Sequence, residues 1–245
     1  MKLVPNELKG RTLLLAITTV LSGLMMAGAA HADVTGNIAV VSKYVLRGIT
    51  NKAESDTATL QGGFDYTHSS GIYVGYWGSG LDYADKGIAK TGFENDIYGG
   101  YKMKAGPVDL NFGAIYYVYN QIQNSDGLEA VVGAGIGGVT FTAKYLTEDL
   151  AWGNKGDIYW TADYAQGLPK DFKLAGSLGF YTYQDKGEFI PSTVESSGFR
   201  HLNFTLSHPV GKSAADMSIT YVIAGENRQG VDQKNALVLA LSSSF

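Results

Sequence analysis

From residue 33 onward, apolar side chains recur at every second position, run after run. Between Thr57 and Thr67, Ala58, Leu60, Gly62, Phe64 and Tyr66 take one side, while Thr59, Gln61, Gly63 and Asp65 take the other. Ile72, Val74 and Tyr76 continue the pattern beyond His68–Gly71, and Leu110, Phe112, Ala114, Tyr116 and Val118 repeat it, as do Met217, Ile219, Tyr221 and Ile223. Successive side chains of a strand point to opposite faces, so this period fits strands and not amphipathic helices. The chain reads as all-β. Its runs predict about twelve strands, at 35–46, 57–67, 71–80, 92–103, 107–119, 127–136, 138–147, 157–166, 171–183, 198–208, 214–224 and 234–245. Runs of about ten residues are what a tilted strand needs to cross a bilayer.

The connections alternate in length. Arg47–Asp56, Gly80–Thr91, Asn120–Asp126, Glu148–Gly156, Gln184–Ser197 and Gly225–Gln233 are long. Between them fall His68–Gly71, Lys104–Gly106, Gly137, Gly167–Lys170 and Pro209–Ser213, which are short. An even strand count with this alternation predicts a transmembrane antiparallel up-and-down β-barrel, with short periplasmic turns and long extracellular loops. A Greek-key sandwich has no reason to keep it. Hydrocarbon offers no hydrogen-bond partner, so a sheet placed in it must close, with apolar side chains outward and polar or small ones within. Tyr44, Tyr66, Tyr73, Trp77, Tyr116, Tyr145, Trp160, Tyr164, Phe180 and Tyr221 supply rings for the aromatic girdles of such a wall.

The N-terminus gives a compartment. Lys2, Lys9 and Arg11 precede an apolar run from Leu13 to about Gly28, and Ala30-His31-Ala32 follows in small-x-small order. That is the layout of a cleaved secretory signal peptide over residues 1–32, leaving 33–245 as the barrel. The apolar core, interrupted by Thr18, Thr19, Ser22 and Gly23, is too short and too polar for a membrane anchor. Processing removes three bases and Glu7, leaving 16 basic and 22 acidic residues and a formal charge of −6. That balance argues against a nucleic-acid partner. Cysteine is absent, which excludes disulfides, thiolate metal sites and a Cys nucleophile.

The far end carries the same alternation. Leu237, Leu239 and Leu241 lie two apart, and Phe245 closes the chain. This predicts a lipid-facing final strand and resembles the C-terminal signal read by the barrel-assembly machinery of Gram-negative outer membranes. A second resemblance lies near the start. Ser42-Lys43-Tyr44-Val45-Leu46-Arg47-Gly48, then Gln61-Gly62-Gly63-Phe64-Asp65-Tyr66-Thr67-His68-Ser69-Ser70-Gly71-Ile72-Tyr73-Val74-Gly75-Tyr76-Trp77-Gly78-Ser79, resembles the Gcw-chp family of proteobacterial proteins, also called TorF-type porins. The detailed match covers about the first 50 mature residues. Where that family often shows Pro-Ala before the Gln, this chain has Thr59-Leu60. The resemblance implies an outer-membrane barrel and passive transport.

Three groups of residues have the makings of a chemical site. Gly133-Ala134-Gly135-Ile136-Gly137-Gly138 has the letters of a dinucleotide fingerprint, but a strand pattern follows where a helix N-terminus is needed, so no cofactor is expected. His68 and His208 fall at short-turn strand ends and His201 near an outer rim, with no spacing that suits a metal. Ser196 or Ser197 beside His201 would be the hydrolase candidates, but ordinary loop residues explain them better.

The inward positions carry charge: Asp65, Glu94, Asp96, Asp109, Glu129, Asp163 and Asp216, faced by Lys43, Lys102, Lys144 and Lys173. Such groups either pair and fill the tube or set a transverse field that sorts solutes, and their acidic excess predicts a mild cation preference. Twelve strands lie between barrels that fill themselves and barrels that hold water, so a loop can plug the tube. Gln184–Ser197, with Phe189, Ile190 and Pro191 mid-loop, is the best candidate for the plug, though an extension of strand above the membrane explains those residues as well. The expected function is a porin-like, non-catalytic channel for small polar solutes or ions in the bacterial outer membrane. Lipid, the assembly machinery and those solutes are its expected partners, and a homo-oligomer is left open. The alternatives are a plugged structural or adhesive barrel, and a membrane-embedded hydrolase.

Overall fold

A computed structural model describes residues 32–85 and 88–245, so the expected signal segment lies, up to residue 31, outside the described residues. Among the described residues the alternating runs form twelve strands: β1 (Asp33–Val41), β2 (Thr59–Thr67), β3 (Ile72–Asp85), β4 (Ile88–Ala105), β5 (Val108–Asn120), β6 (Gly127–Ile136), β7 (Val139–Leu146), β8 (Ile158–Gly167), β9 (Lys173–Thr182), β10 (Ser197–Pro209), β11 (Ala215–Ala224) and β12 (Ala236–Ser244). Each pairs antiparallel with its sequence neighbours, and β12 returns to β1 with Leu241 opposite Val40 and Ser244 opposite Asn37, closing the barrel. Closure leaves no strand edge with unpaired backbone groups.

The outer wall is apolar where the period demanded it. Leu60, Phe64, Ile72, Val74, Ile97, Phe112, Val132, Phe141, Leu178, Phe204 and Ile219 all face outward. Leu237, Leu239 and Leu241 are 53%, 50% and 51% exposed on that wall. The Phe245 ring lies over Gly36, where a Cβ would collide with it, and meets Phe64 edge-on with ring centroids 6.3 Å apart. Of the expected girdle rings, Tyr66, Tyr116, Tyr145, Trp160, Tyr164, Phe180 and Tyr221 are outside. Tyr44, Tyr73 and Trp77 are not. They are buried with Tyr98, Ile115, Tyr117, Tyr119 and Val131 inside the tube. The strand parity explains two of them, because in β3 it is Ile72, Val74 and Tyr76 that point out.

Two connections differ from expectation. The stretch 80–91 is not a loop for most of its length: β3 and β4 stay in register from Gly80↔Phe93 to Asp85↔Ile88. Extending the ladder satisfies backbone groups that a loop would leave to water. The second difference matters more. β1 stops at Val41, five residues before its expected end, and residues 42–58 (loop 1) turn into the barrel from the long-loop end. Tyr44 pairs with Ser55 in a two-way backbone bridge, and the Asp82 amide donates to the Glu54 carbonyl at 2.9 Å. These bonds give the inserted backbone partners that lumen water would otherwise supply.

Candidate functional site: the mouth of the barrel and loop 1

Ten of the eleven charged residues expected to line the lumen occupy inward strand positions. Glu94, Asp96, Glu129, Lys144 and Asp216 are buried there. Asp65 accepts a hydrogen bond from the Tyr98 hydroxyl at 2.7 Å, and Asp163 one from the Thr161 hydroxyl at 2.7 Å. The Lys102 ammonium sits 4.7 Å from the Tyr73 ring centre. Asp109 pairs with Lys104 at 3.3 Å on the short-turn rim, where Lys173 also lies, half-buried. Lys43 is the exception. It belongs to loop 1 rather than a strand and pairs with Asp56 at 2.6 Å, because β1 ends before reaching it.

Loop 1 enters on a tight turn. The Ile49 amide donates to the Leu46 carbonyl at 2.9 Å, and the two residues between have positive φ, 47° at Arg47 and 75° at Gly48. That pair of angles marks a type I′ turn, which glycine tolerates and arginine adopts only under constraint. The constraint is visible at the side chain. Arg47 donates to both oxygens of Glu129, at 2.7 and 2.6 Å, and also to the hydroxyls of Tyr181 at 2.5 Å and Tyr117 at 3.1 Å. Tyr117 in turn donates to Glu129 at 2.7 Å. The guanidinium lies 4.6 Å from the Tyr159 ring centre and 5.6 Å from that of Trp152. A planar fork on a carboxylate, walled by rings, is the strong form of this pairing.

The rest of the loop is fastened at both ends. The Thr50 hydroxyl donates to the Lys234 carbonyl at 2.5 Å, and the Asn51 side chain to the Asp232 carbonyl at 2.8 Å, tying it to the connection before β12. On the opposite side Glu54 stands by Glu94, which accepts a hydrogen bond from the Tyr119 hydroxyl at 2.8 Å. Desolvation first, and the Glu94 charge second, push the Glu54 carboxyl up to about 8. With Glu129, Ile115, Val131 and Tyr159 all nearly sealed from solvent, loop 1 and the wall fill the mouth.

A second basic element meets loop 1 from β10. Strand alternation fails between Phe199 and His201, where the register against β9 shifts by one residue. The bulge turns both Arg200 and His201 inward, a re-aiming that bulges impose where two residues oppose one. Arg200 donates to the Tyr183 hydroxyl at 2.7 Å and to the carbonyl of Arg47 at 3.0 Å. Tyr183 stacks on Tyr181 with centroids 4.8 Å apart and planes 7° from parallel, and Arg228 lies 4.8 Å over the Tyr183 ring. Arg228 is paired with Asp157, which also accepts from the Gln184 and Asn154 amides at 2.7 and 2.9 Å. Gly48 packs so tightly on this strand that a Cβ would strike the Arg200 carbonyl.

None of these three arginines was expected in the mouth. Arg47 stood in what the pattern marked as an external loop, Arg200 stood off-phase by alternation, and Arg228 stood in another loop. The signals available were the Arg47-Gly48 pair in the quoted segment and the adjacency of Arg200 and His201, which no simple alternation can hold. The expected plug, 184–197, packs on the 148–156 connection, where the Asn154 side chain donates to the Gln184 and Ile190 carbonyls at 3.1 and 3.3 Å, and leaves Phe189 38% exposed. His201 meets the Tyr159 hydroxyl at 2.5 Å, not Ser196 or Ser197. His68 bonds Ser70 at 2.8 Å and His208 packs on Phe172 at 4.4 Å, both at the short-turn end. Among the described residues no group of His, Asp and Glu is arranged to hold a metal. The glycine run at 133–138 is the hairpin between β6 and β7, with Gly137 and Gly138 at positive φ.

Solved barrels share this architecture. A KdgM porin matches with a TM-score of 0.54 at 10% identity, over 86% of this chain and 99% of its own. The COG4313 outer membrane channel from Pseudomonas putida F1 gives 0.53 at 11%, over 93% and 100%. Outer membrane phospholipase A from Escherichia coli gives 0.45 at 11%, over 86% and 95%. At these identities the likeness to the porin and the COG4313 channel is one of fold. No curated protein matches the sequence. The family model described as bacterial protein of unknown function (Gcw_chp) matches residues 26–239.

Proposed function

This chain belongs to the Gcw_chp family of bacterial proteins of unknown function, and from that premise we propose that it is an outer-membrane channel for small polar solutes or ions, narrowed by loop 1. The observation that carries the reading is the closed twelve-strand tube whose inner wall bears ionisable groups while its outer wall is apolar. A soluble barrel would have no use for that inversion. Processing before Asp33, insertion through the alternating β12 segment with Phe245, and short turns toward the periplasm complete the proposal. No step in it requires catalysis.

The filled mouth favours a second reading, a plugged barrel that binds through its outer loops. Loop 1 decides between them. If the barrel is a channel, passage requires loop 1 to yield, and the inner wall then becomes accessible. The test is conductance in planar bilayers of the purified wild type and of a variant in which residues 44–55 are replaced by a Gly-Ser linker. A channel gives low or flickering conductance in the wild type and a several-fold larger, steady one in the variant. No conductance from a correctly assembled variant refutes the channel and leaves the adhesive barrel. Esterase activity in the wild type that disappears in His201→Ala would refute the non-catalytic reading.

A further inference from the structure

Arg200 is 4% exposed, and among the described residues no carboxylate lies within ion-pair distance of it. Its Nε has no hydrogen-bond partner, and neither does Nη1 of Arg228. Burying a guanidinium is costly unless a counter-charge accompanies it, and here the two neighbouring arginines have already taken the nearby acids, Glu129 and Asp157. What Arg200 has instead is a neutral surrogate: the main-chain carbonyl of Arg47, at 3.0 Å, on the tip of the inserted loop. Both arginines converge on one ring, Arg200 at the Tyr183 hydroxyl and Arg228 over its face. A bulge in β10 exists to aim Arg200 there.

We propose that Arg200 and Arg228, on the Tyr181–Tyr183 stack, form a binding site for an oxyanion-bearing solute, whose carboxylate or phosphate replaces the Arg47 carbonyl and releases loop 1. A charged oxyanion matches the guanidinium fork better than a carbonyl does, because it takes two bonds and supplies the missing charge. The carbonyl sits on the type I′ turn beside the Gly48 contact, so displacing it unseats the tip of the loop. This deepens the channel reading by naming the class of solute admitted, and it sets an anion site at the mouth of a tube otherwise rich in acids. Arg47, which neutralises Glu129, and Arg200, which has no acid of its own among the described residues, thereby offset the cation preference expected from the strand residues alone.

The test is calorimetry on the detergent-extracted barrel at low ionic strength, with gluconate, inorganic phosphate and the uncharged analogue sorbitol. Gluconate or phosphate should bind and sorbitol should not. Arg200→Gln should weaken binding at least tenfold, Arg200→Lys less, and Lys212→Gln, on an exposed turn, should leave it unchanged. Gel mobility that shifts on heating certifies folded samples, and Arg228→Gln serves if Arg200→Gln does not assemble. Absence of binding by the folded wild type, or equal binding by folded Arg200→Gln and Arg228→Gln, overturns the site. Binding that depends on Arg200 in a protein that never conducts keeps the site and removes the channel. Conductance without oxyanion binding does the reverse.

Discussion

Replacing Glu129 by Gln isolates what holds loop 1 in the tube. Glu129 accepts two guanidinium bonds from Arg47 at 2.7 and 2.6 Å, with side chains only 2% and 8% exposed. Removing the charge of one partner of a buried pair costs about 3–5 kcal/mol, because the other charge stays behind uncompensated. The amide keeps the volume and one acceptor, so the lower part of that range applies, about 3 kcal/mol. At about 1.4 kcal/mol per decade, the equilibrium between seated and released loop shifts by a factor of about 10². The cost falls on the loop and not on the barrel, since β1 pairs with β12 and β2 without using residues 42–58. Single-channel recording should show longer and larger openings. Limited trypsin treatment should cut at Lys43, Arg47 and Lys52 where the wild type resists at Arg47. Arg47→Gln combined with Glu129→Gln should cost less than the two changes added, since each single change strands the opposite charge and the double change strands neither. A correctly assembled Glu129→Gln protein with wild-type conductance and an uncut Arg47 would refute the reasoning.

Closure should also depend on pH. Glu54 has a carboxyl raised from 4.5 to about 8 when loop 1 is seated, so the seated form keeps a proton that the released form gives up. Seating is fully favoured below pH 4.5 and weakens as pH rises toward about 8. Conductance should climb across that window, and Glu54→Gln should flatten the climb. Gly48→Ala combines a φ of 75° with a collision against the Arg200 carbonyl, for about 1–3 kcal/mol, and should release loop 1 with the same protease signature. Leu239→Arg on the outer wall should destabilise the barrel in lipid vesicles by about 2–4 kcal/mol in urea titrations, and an unchanged midpoint would sink the lipid-facing assignment. Intact-mass measurement of protein recovered from envelopes should give a chain beginning at Asp33.

Much of the barrel could be read without a structure because its physics is local. Which face Leu237, Leu239 and Leu241 occupy follows from a period of two, and the pairing of neighbours follows from short turns such as Gly137-Gly138. The ten inward charges on strands were legible for the same reason. Where parity was lost, so was the reading. Arg200 points inward only because a bulge breaks the phase between Phe199 and His201. Arg47 was placed in an outer loop because nothing local says whether a polar loop projects or folds back, and Tyr44 on the outer wall because the first strand was expected to run to residue 46, whereas β1 ends at Val41.

By itself, then, the order of residues determined a closed antiparallel tube with an apolar outside, since the backbone's need for partners and the alternation of side chains leave few other solutions. Only the tertiary structure decided what fills the tube. Arg47 meets Glu129 across 82 residues, and Arg200 meets the Arg47 carbonyl across 153. Such contacts depend on the curvature that brings β6 and β10 to face the same mouth, and no periodicity within a strand encodes that distance.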